Sequence, residues 1–160
     1  MNKDATRWIA KLKLKKHPEG GYFRETYRSG QALHMSGYDG ARSLYSAIYY
    51  LLARDQKSAF HRLKSDEIWH HYAGGTLLLL VIKEGRLSRL NLGSVGKAIP
   101  QILIEKGCWV AASISSGHYC LVGCTVSPAF DFRDWELGKR SDLLALIPGH
   151  NALIKKYATV

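Results

Sequence analysis

Residues 60–75, FHRLKSDEIWHHYAGG, bring three histidines, an Asp-Glu pair and a tryptophan into one stretch that closes on two glycines. An imidazole changes charge near neutral pH, and beside a carboxylate it can move protons or bind a metal ion. If 59–63 and 67–72 are adjacent antiparallel strands joined through Lys64-Ser65-Asp66, side-chain alternation puts His61 and Leu63 on one face. It likewise groups Glu67, Trp69 and His71, with His70 opposite. Matching faces would set His61 against Glu67 inside a barrel, with Trp69 as a wall and His71 within reach.

Further candidates lie outside this stretch. Arg24 alternates with aromatic residues in YFRETYR, and a guanidinium at a barrel mouth would clamp an anion; the competing reading is a surface strand whose arginines lie along it. Tyr45 and Tyr49 share a strand face and Tyr50 takes the other, so Tyr49 is a candidate acid. Asp131, in FDFRDWEL, is a loop carboxylate that would orient an imidazole from the open end. His17 and Glu19 precede a double glycine and read as turn-stabilising, with a second carboxylate–imidazole pair as the alternative. Cys108 has no base or cation beside it in sequence that would activate it as a nucleophile.

The elements that must position these groups are mostly short strands. Residues 4–13 can form a helix, with Asp4 as N-cap and Trp8, Ile9 and Leu12 on one side. Strands are expected at 22–29, 44–52, 59–63, 67–72, 77–83, 87–92, 101–105, 108–113 and 119–127. Gly74-Gly75, Glu84-Gly85 and Lys106-Gly107 punctuate them. Helical spacing returns at 143–147 and 152–157, on either side of Pro148-Gly149. Strands of this length and spacing predict an all-β sandwich or barrel, and the 160 residues read as a single domain.

Composition narrows the function classes. The net charge is +10, and the first 16 residues hold six Lys or Arg against Asp4. The remainder is scattered, and no helix-turn-helix, zinc-finger or RNA-binding signature accompanies it, which argues against nucleic acid as the partner. No apolar run approaches the roughly 20 residues of a bilayer span, and no signal peptide is evident. Three cysteines without a CxxC pair suit buried thiols in a reducing compartment, so a cytoplasmic location is expected.

Several blocks carry a resemblance: HPEGGYFRETYRS, SAIYYLL, FHRLKSDEIWH, LVGCTVSPAFDF and LLALIP. Together the chain resembles the cupin superfamily, in particular its "cupin 5" family of conserved hypothetical proteins. The resemblance implies a cupin jelly-roll β-barrel (a double-stranded β-helix) with short terminal helices, and a homodimer. The first cupin motif is matched at His61, Glu67 and Gly74, but its second metal histidine falls on Leu63. In the second motif Gly107 matches and the histidine slot holds Val110. Aliphatic side chains cannot coordinate, so no cofactor or metal is expected. Were a divalent metal bound, its ligands would be His61, Glu67 and His71.

These readings converge on a pocket inside the barrel for a small polar molecule, sugar-like or a carboxylate or other anion. The catalytic expectation is a metal-independent, epimerase- or isomerase-like reaction with His61 as base, Glu67 as its orienter and Tyr49 as acid. Arg24, Trp69, His71 and Asp131 would contact the ligand. It rests on analogy with jelly-roll deoxysugar-nucleotide epimerases, whose own motifs are not recognisable here. A non-catalytic binding protein and a metal-dependent cupin with an atypical ligand set are the alternatives.

Overall fold

The computed structural model describes residues 1–159. The chain runs through α1 (Lys3–Lys11), β1 (Lys15–Lys16), β2 (Tyr22–Arg28), β3 (Ala32–Leu33), β4 (Arg42–Ser43), β5 (Ser46–Ala53) and β6 (Lys57–Leu63). Then come β7 (Asp66–Lys83), β8 (Arg86–Leu92), β9 (Gln101–Ile104), β10 (Trp109–Ser127), β11 (Trp135–Leu137), α2 (Arg140–Leu146) and α3 (Asn151–Tyr157). Asn2 caps α1 by accepting from the N–H groups of Asp4 and Ala5. Asp4, expected to be the cap, sits instead in the first turn, where its charge complements the helix dipole.

The sheet curls into a barrel around β10. That strand pairs antiparallel with β5, β6 and β7; β2 joins β5, β11 joins β6, and β7 also carries β8 and β9. Two expected strand pairs are in fact single long strands, β7 and β10. Gly74-Gly75 is therefore a bend rather than a turn. Gly74 has φ +90°, and a Cβ on Gly74 or Gly75 would collide with the backbone of Tyr119 or Ser116. Glycine lets the two strands bend together while staying paired, with register shifts at the bend. Each long strand thereby serves both halves of the barrel: β10 meets β6 with its first half and β5 with its second.

A second expectation fails in detail. Among the described residues β6 and β7 are not hydrogen-bonded neighbours. The link at Lys64-Ser65 carries the chain across the barrel, so residues 61 and 67 face one another across the interior.

Three apolar clusters hold the fold. The barrel interior contains Tyr50, Leu52, Trp69, Leu77, Leu79, Val110, Cys120, Val122 and Cys124. On the outer wall α2 and α3 bury Leu143, Ile147, Ile154 and Tyr157 against Phe60, Leu80, Ile82 and Trp109. On another part of that wall α1 packs Ala5, Trp8, Ile9 and Leu12 over Leu51 and Leu121. Both faces of β5 are thus apolar, one for the interior and one for α1. All three cysteines are free and buried, and burial lifts the thiol of Cys120 to about 12. No helix among the described residues is long and apolar enough to cross a membrane.

Candidate functional site

A cavity of about 50 Å³ opens at one end of the barrel interior, with His17, Glu19, Phe23, Glu25, His61 and Glu67 among its lining residues. Its wall is completed by Ser46, Ile48, Leu63, Cys124, Val126, Phe130 and Trp135. On the measure used for buried waters, that space admits a group of a few heavy atoms.

His61 is 3% exposed, and its Nδ1 lies 2.8 Å from the Ala59 carbonyl. A carbonyl only accepts, so Nδ1 carries a proton in both charge states of the ring. Nδ1 also lies 2.6 Å from Glu19 Oε2. The second ring nitrogen, Nε2, makes no hydrogen bond to another described residue and is the atom left for a ligand. Burial acts to lower the pKa of His61, but attraction to Glu19, contact with it, and the charge of Glu67 together raise it to about 9. At neutral pH the ring is an imidazolium. In that charge state Nε2 carries a proton it can donate, whereas in sequence His61 reads as a base.

The two carboxyl groups around it are driven apart. Burial acts to raise Glu19, yet the neighbouring His61 outweighs it and Glu19 stays below the usual carboxylate range. Glu67 goes up, chiefly through burial, with His61 opposing. The Trp69 indole donates to Glu67 Oε2 at 2.7 Å and fixes that carboxyl's orientation. His17 goes down, first through burial, and its Nδ1 accepts from the Glu19 backbone N–H at 3.3 Å. It is a neutral imidazole packed edge-on to Phe23 at 4.6 Å.

His61 carries a pH dependence with it. Its folded pKa lies above its ordinary 6.5, so its ion pair contributes stability fully below about 6.5 and loses it as pH rises through about 9. We expect urea-unfolding stability to fall between those two values, and to fall markedly less in His61→Gln. A flat profile for the wild-type protein across that window would contradict the pairing.

Of the residues singled out in sequence, the structure brings His61, Glu67 and Trp69 together. It separates the others. Tyr49 faces outward into a groove with Trp8, Leu12, Tyr72 and Leu121, so it is no partner acid for His61. Arg24 lies on the same outer face, its guanidinium 5.9 Å from the Tyr49 ring, because Phe23 and Glu25 take the inward positions of β2. His71 lies beyond the cavity lining, with Nε2 at 3.1 Å from the Gly75 carbonyl, which it must therefore donate to. Asp131 caps the short 3-10 turn Phe132–Asp134 and pairs with Arg133 at 2.7 Å. That pairing holds its carboxyl well below the usual range, away from any imidazole.

Glu19 and His17 are the residues that sequence reasoning assigned to a turn. Glu19 pairs its backbone carbonyl with the Ala59 N–H at 2.9 Å, which lays it alongside β6 and beside His61. The signal was an imidazole and a carboxyl two residues apart, His17 and Glu19, at the start of HPEGGYFRETYRS, itself one of the blocks that carry the family resemblance.

The fold class raises the question of a metal. Leu63 lines the cavity and Val110 is 2% exposed in the apolar interior, so two positions a cupin metal site would use cannot coordinate. His71, the substitute ligand, is not brought to the cavity. Among the described residues no group of three or more His, Cys, Asp or Glu side chains is placed to hold an ion. The residues present do not fit such a site.

Comparison with known proteins agrees with this architecture. The family described as "Cupin superfamily (DUF985)" matches residues 6–138. A hypothetical protein from Leishmania major is 33% identical, with TM-score 0.90 over 98% of this chain and 99% of its own. A crystal structure of a protein from Shewanella oneidensis is 40% identical, with TM-score 0.87 over 99% and 98%. A cupin 2 conserved barrel domain protein from Rhodopseudomonas palustris shares the fold at 15% identity, with TM-score 0.56 over 92% and 88%. No curated protein matches the sequence.

Proposed function

The chain belongs to the DUF985 family of the cupin superfamily, and on that premise we propose that its barrel is an acid–base pocket that isomerises a small, neutral, hydroxylated carbonyl compound. One observation carries this reading. A buried imidazolium, paired with Glu19 at 2.6 Å, shares a small cavity with a second carboxyl, Glu67, whose pKa moves in the opposite direction from that of Glu19. Titratable groups pushed apart by their surroundings are how acid and base roles are divided in one site. Glu19 is the standing counter-charge, His61 the donor and Glu67 the group that gains and loses a proton.

In this scheme His61 Nε2–H donates to the carbonyl oxygen of the ligand. Glu67, in its ionised form, removes the proton from the adjacent carbon, and the electron pair moves onto the oxygen as the enediol forms. Glu67 returns that proton to the neighbouring carbon, or to the other face of the same carbon, while the enediol hydroxyl that becomes the product carbonyl gives its proton back to His61 Nε2, which completes the isomerisation. Atoms and electrons balance without a further reactant.

The lining also selects among ligands. Its titratable side chains are Glu19, Glu25, Glu67, His17, His61 and the thiol of Cys124, which burial keeps protonated, with no Lys or Arg among the described lining residues. Arg24, expected to supply positive charge, lies outside. With Glu19 paired to His61 and Glu25 to Arg28, no cation of the lining is left free to meet an anion, which favours the sugar-like alternative.

The test is a thermal-shift screen of short neutral aldoses, ketoses and their acid counterparts, followed by calorimetry and by deuterium uptake from heavy water. Neutral compounds should bind at least about tenfold better than the matching acids. Glu67→Gln should cut carbon-bound deuterium uptake by about a hundredfold or more. Preference for the acids, or unaltered exchange in Glu67→Gln, would contradict the reading.

The proposed assembly is a homodimer. The outer edge of β2 is covered by β1 opposite Tyr22 and Phe23 alone, which leaves residues 24–28 an open edge that a second copy can cover. Light scattering should give twice the 17.9 kDa of one chain. A mass of one chain across micromolar concentrations would refute it.

A further inference from the structure

Each of two carboxyl groups that line the cavity, Glu67 and Glu19, has an indole beside it, and the two pairs differ. In the first, Trp69 donates directly to Glu67 at 2.7 Å. In the second, the Trp135 indole stands close enough to the Glu19 carboxylate to favour its ionised form, yet Nε1 and Oε2 are both buried and make no aligned hydrogen bond to each other or to another described residue. Glu19 Oε2 also lies 2.6 Å from His61 Nδ1, whose single proton is shared with the Ala59 carbonyl at 2.8 Å, so the ring answers only part of that oxygen's need. A buried donor and a buried acceptor left unmatched are costly, and native interiors rarely keep them so.

We propose that the Trp135 indole N–H and the Glu19 carboxylate together form the recognition point for one hydroxyl group of the ligand, which makes Trp135 a specificity-determining residue. A hydroxyl is the simple group that answers both needs: its oxygen accepts from the indole while its hydrogen goes to the carboxylate. A carbonyl or ether can only accept, and an ammonium can only donate. The inference rests on the pocket reading above and names the feature by which that pocket selects.

The surroundings of Trp135 suit the role. It opens β11, whose pairing with Leu63 of β6 fixes its backbone. The preceding residue, Asp134, is 7% exposed and held by two hydrogen bonds from Arg42, and the Phe132 ring packs edge-on to the indole at 5.7 Å. Trp135 and Leu63 line both the cavity and an outer groove beside Arg62, Lys64 and Arg133, so together they are the wall between ligand and solvent. An indole fixed on both sides presents its N–H at one place and loses little freedom when a ligand arrives. Sites built to hydrogen-bond a hydroxyl discriminate strongly against an analogue that lacks it.

The experiment uses two probes, glycerol and propane-1,3-diol, which differ by one hydroxyl, and follows the indole N–H resonances of the 15N-labelled protein. Trp135→Phe identifies the resonance and removes the donor while keeping an aromatic wall. Glycerol should shift the Trp135 signal and bind at least about tenfold better than the diol. In Trp135→Phe the ratio should fall to near one, with cooperative unfolding retained. The wild-type titration reads the indole directly and needs no variant. A Trp135 signal that neither probe moves overturns the inference, as does an unchanged ratio in Trp135→Phe. If glycerol binding survives Trp135→Phe but is lost in Glu67→Gln, the inference falls and the pocket stands. Glycerol binding indifferent to both Glu67→Gln and His61→Gln removes the pocket reading itself.

Discussion

Arg42→Ala is expected to lower the melting temperature by roughly 10 °C, the largest single effect of any substitution outside the apolar clusters. The Arg42 side chain is 2% exposed and its partner Asp134 4%. The guanidinium gives two hydrogen bonds to that carboxylate, at 2.6 and 3.1 Å, and a third to the Asp39 carbonyl. Truncation would leave the carboxylate of Asp134 buried with only Lys64, 3.9 Å away, as counter-charge. Removing one member of a buried pair costs far more than the pair itself contributes, because the remaining charge has lost its solvation without compensation. Arg42 also ties the loop around residue 39 to the turn that precedes Trp135. The variant should therefore bind the hydroxylated probes more weakly even at temperatures where it is folded. Calorimetric melting measures the first effect; a shift under about 2 °C would show that Asp134 finds another partner.

Glu19→Ala is the second large effect. It removes the carboxylate that holds His61 as an imidazolium, and burial then acts on the ring with Glu67 and the Ala59 carbonyl opposing it. Breaking such a pair costs about 3–5 kcal/mol where the pair is intact. Here the loss depends on pH. Near pH 6 the wild-type protein has the full benefit of the pair, while the variant must bury a ring that prefers to be charged in the unfolded chain. Above about 9 the wild-type ring has itself lost its proton, and the gap should narrow. Isomerisation should fall with it, since a neutral ring with its proton on Nδ1 has none to give from Nε2. Urea unfolding at two pH values checks the prediction. An equal loss at both would assign Glu19 a packing role instead.

Much of this arrangement is legible in the chain, and the parts that are not have definite physical causes. Alternation along 67–71 places Glu67 and Trp69 together because that part of β7 is regular. The partner strand was misassigned because nothing in KSD distinguishes a hairpin turn from a crossing of the barrel. Tyr49 and Arg24 were set on the wrong side for a related reason. Alternation fixes which residues share a face but not which face is inward, and β5 is apolar on both. Tyr50 is the inward tyrosine; its hydroxyl is spent on the Gly20 carbonyl at 2.7 Å, and burial first of all keeps it well above the usual range. Glu19 escaped because it sits in a segment without periodicity. Its place beside His61 depends on the fold of Gly20 and Gly21, both with positive φ, against β6 and β5. In sequence β7 divides at Gly74-Gly75 because a double glycine looks the same whether the chain turns or only bends.

The central claim is that His61 is a cation at neutral pH because Glu19 holds it so. The most direct test is an NMR titration of the His61 ring in the wild-type protein and in Glu19→Gln. The account predicts a midpoint near 9 for the wild type and one at or below 6.5 for the variant, with Nδ1 protonated throughout. A wild-type midpoint near 6.5, unchanged by the substitution, would contradict it.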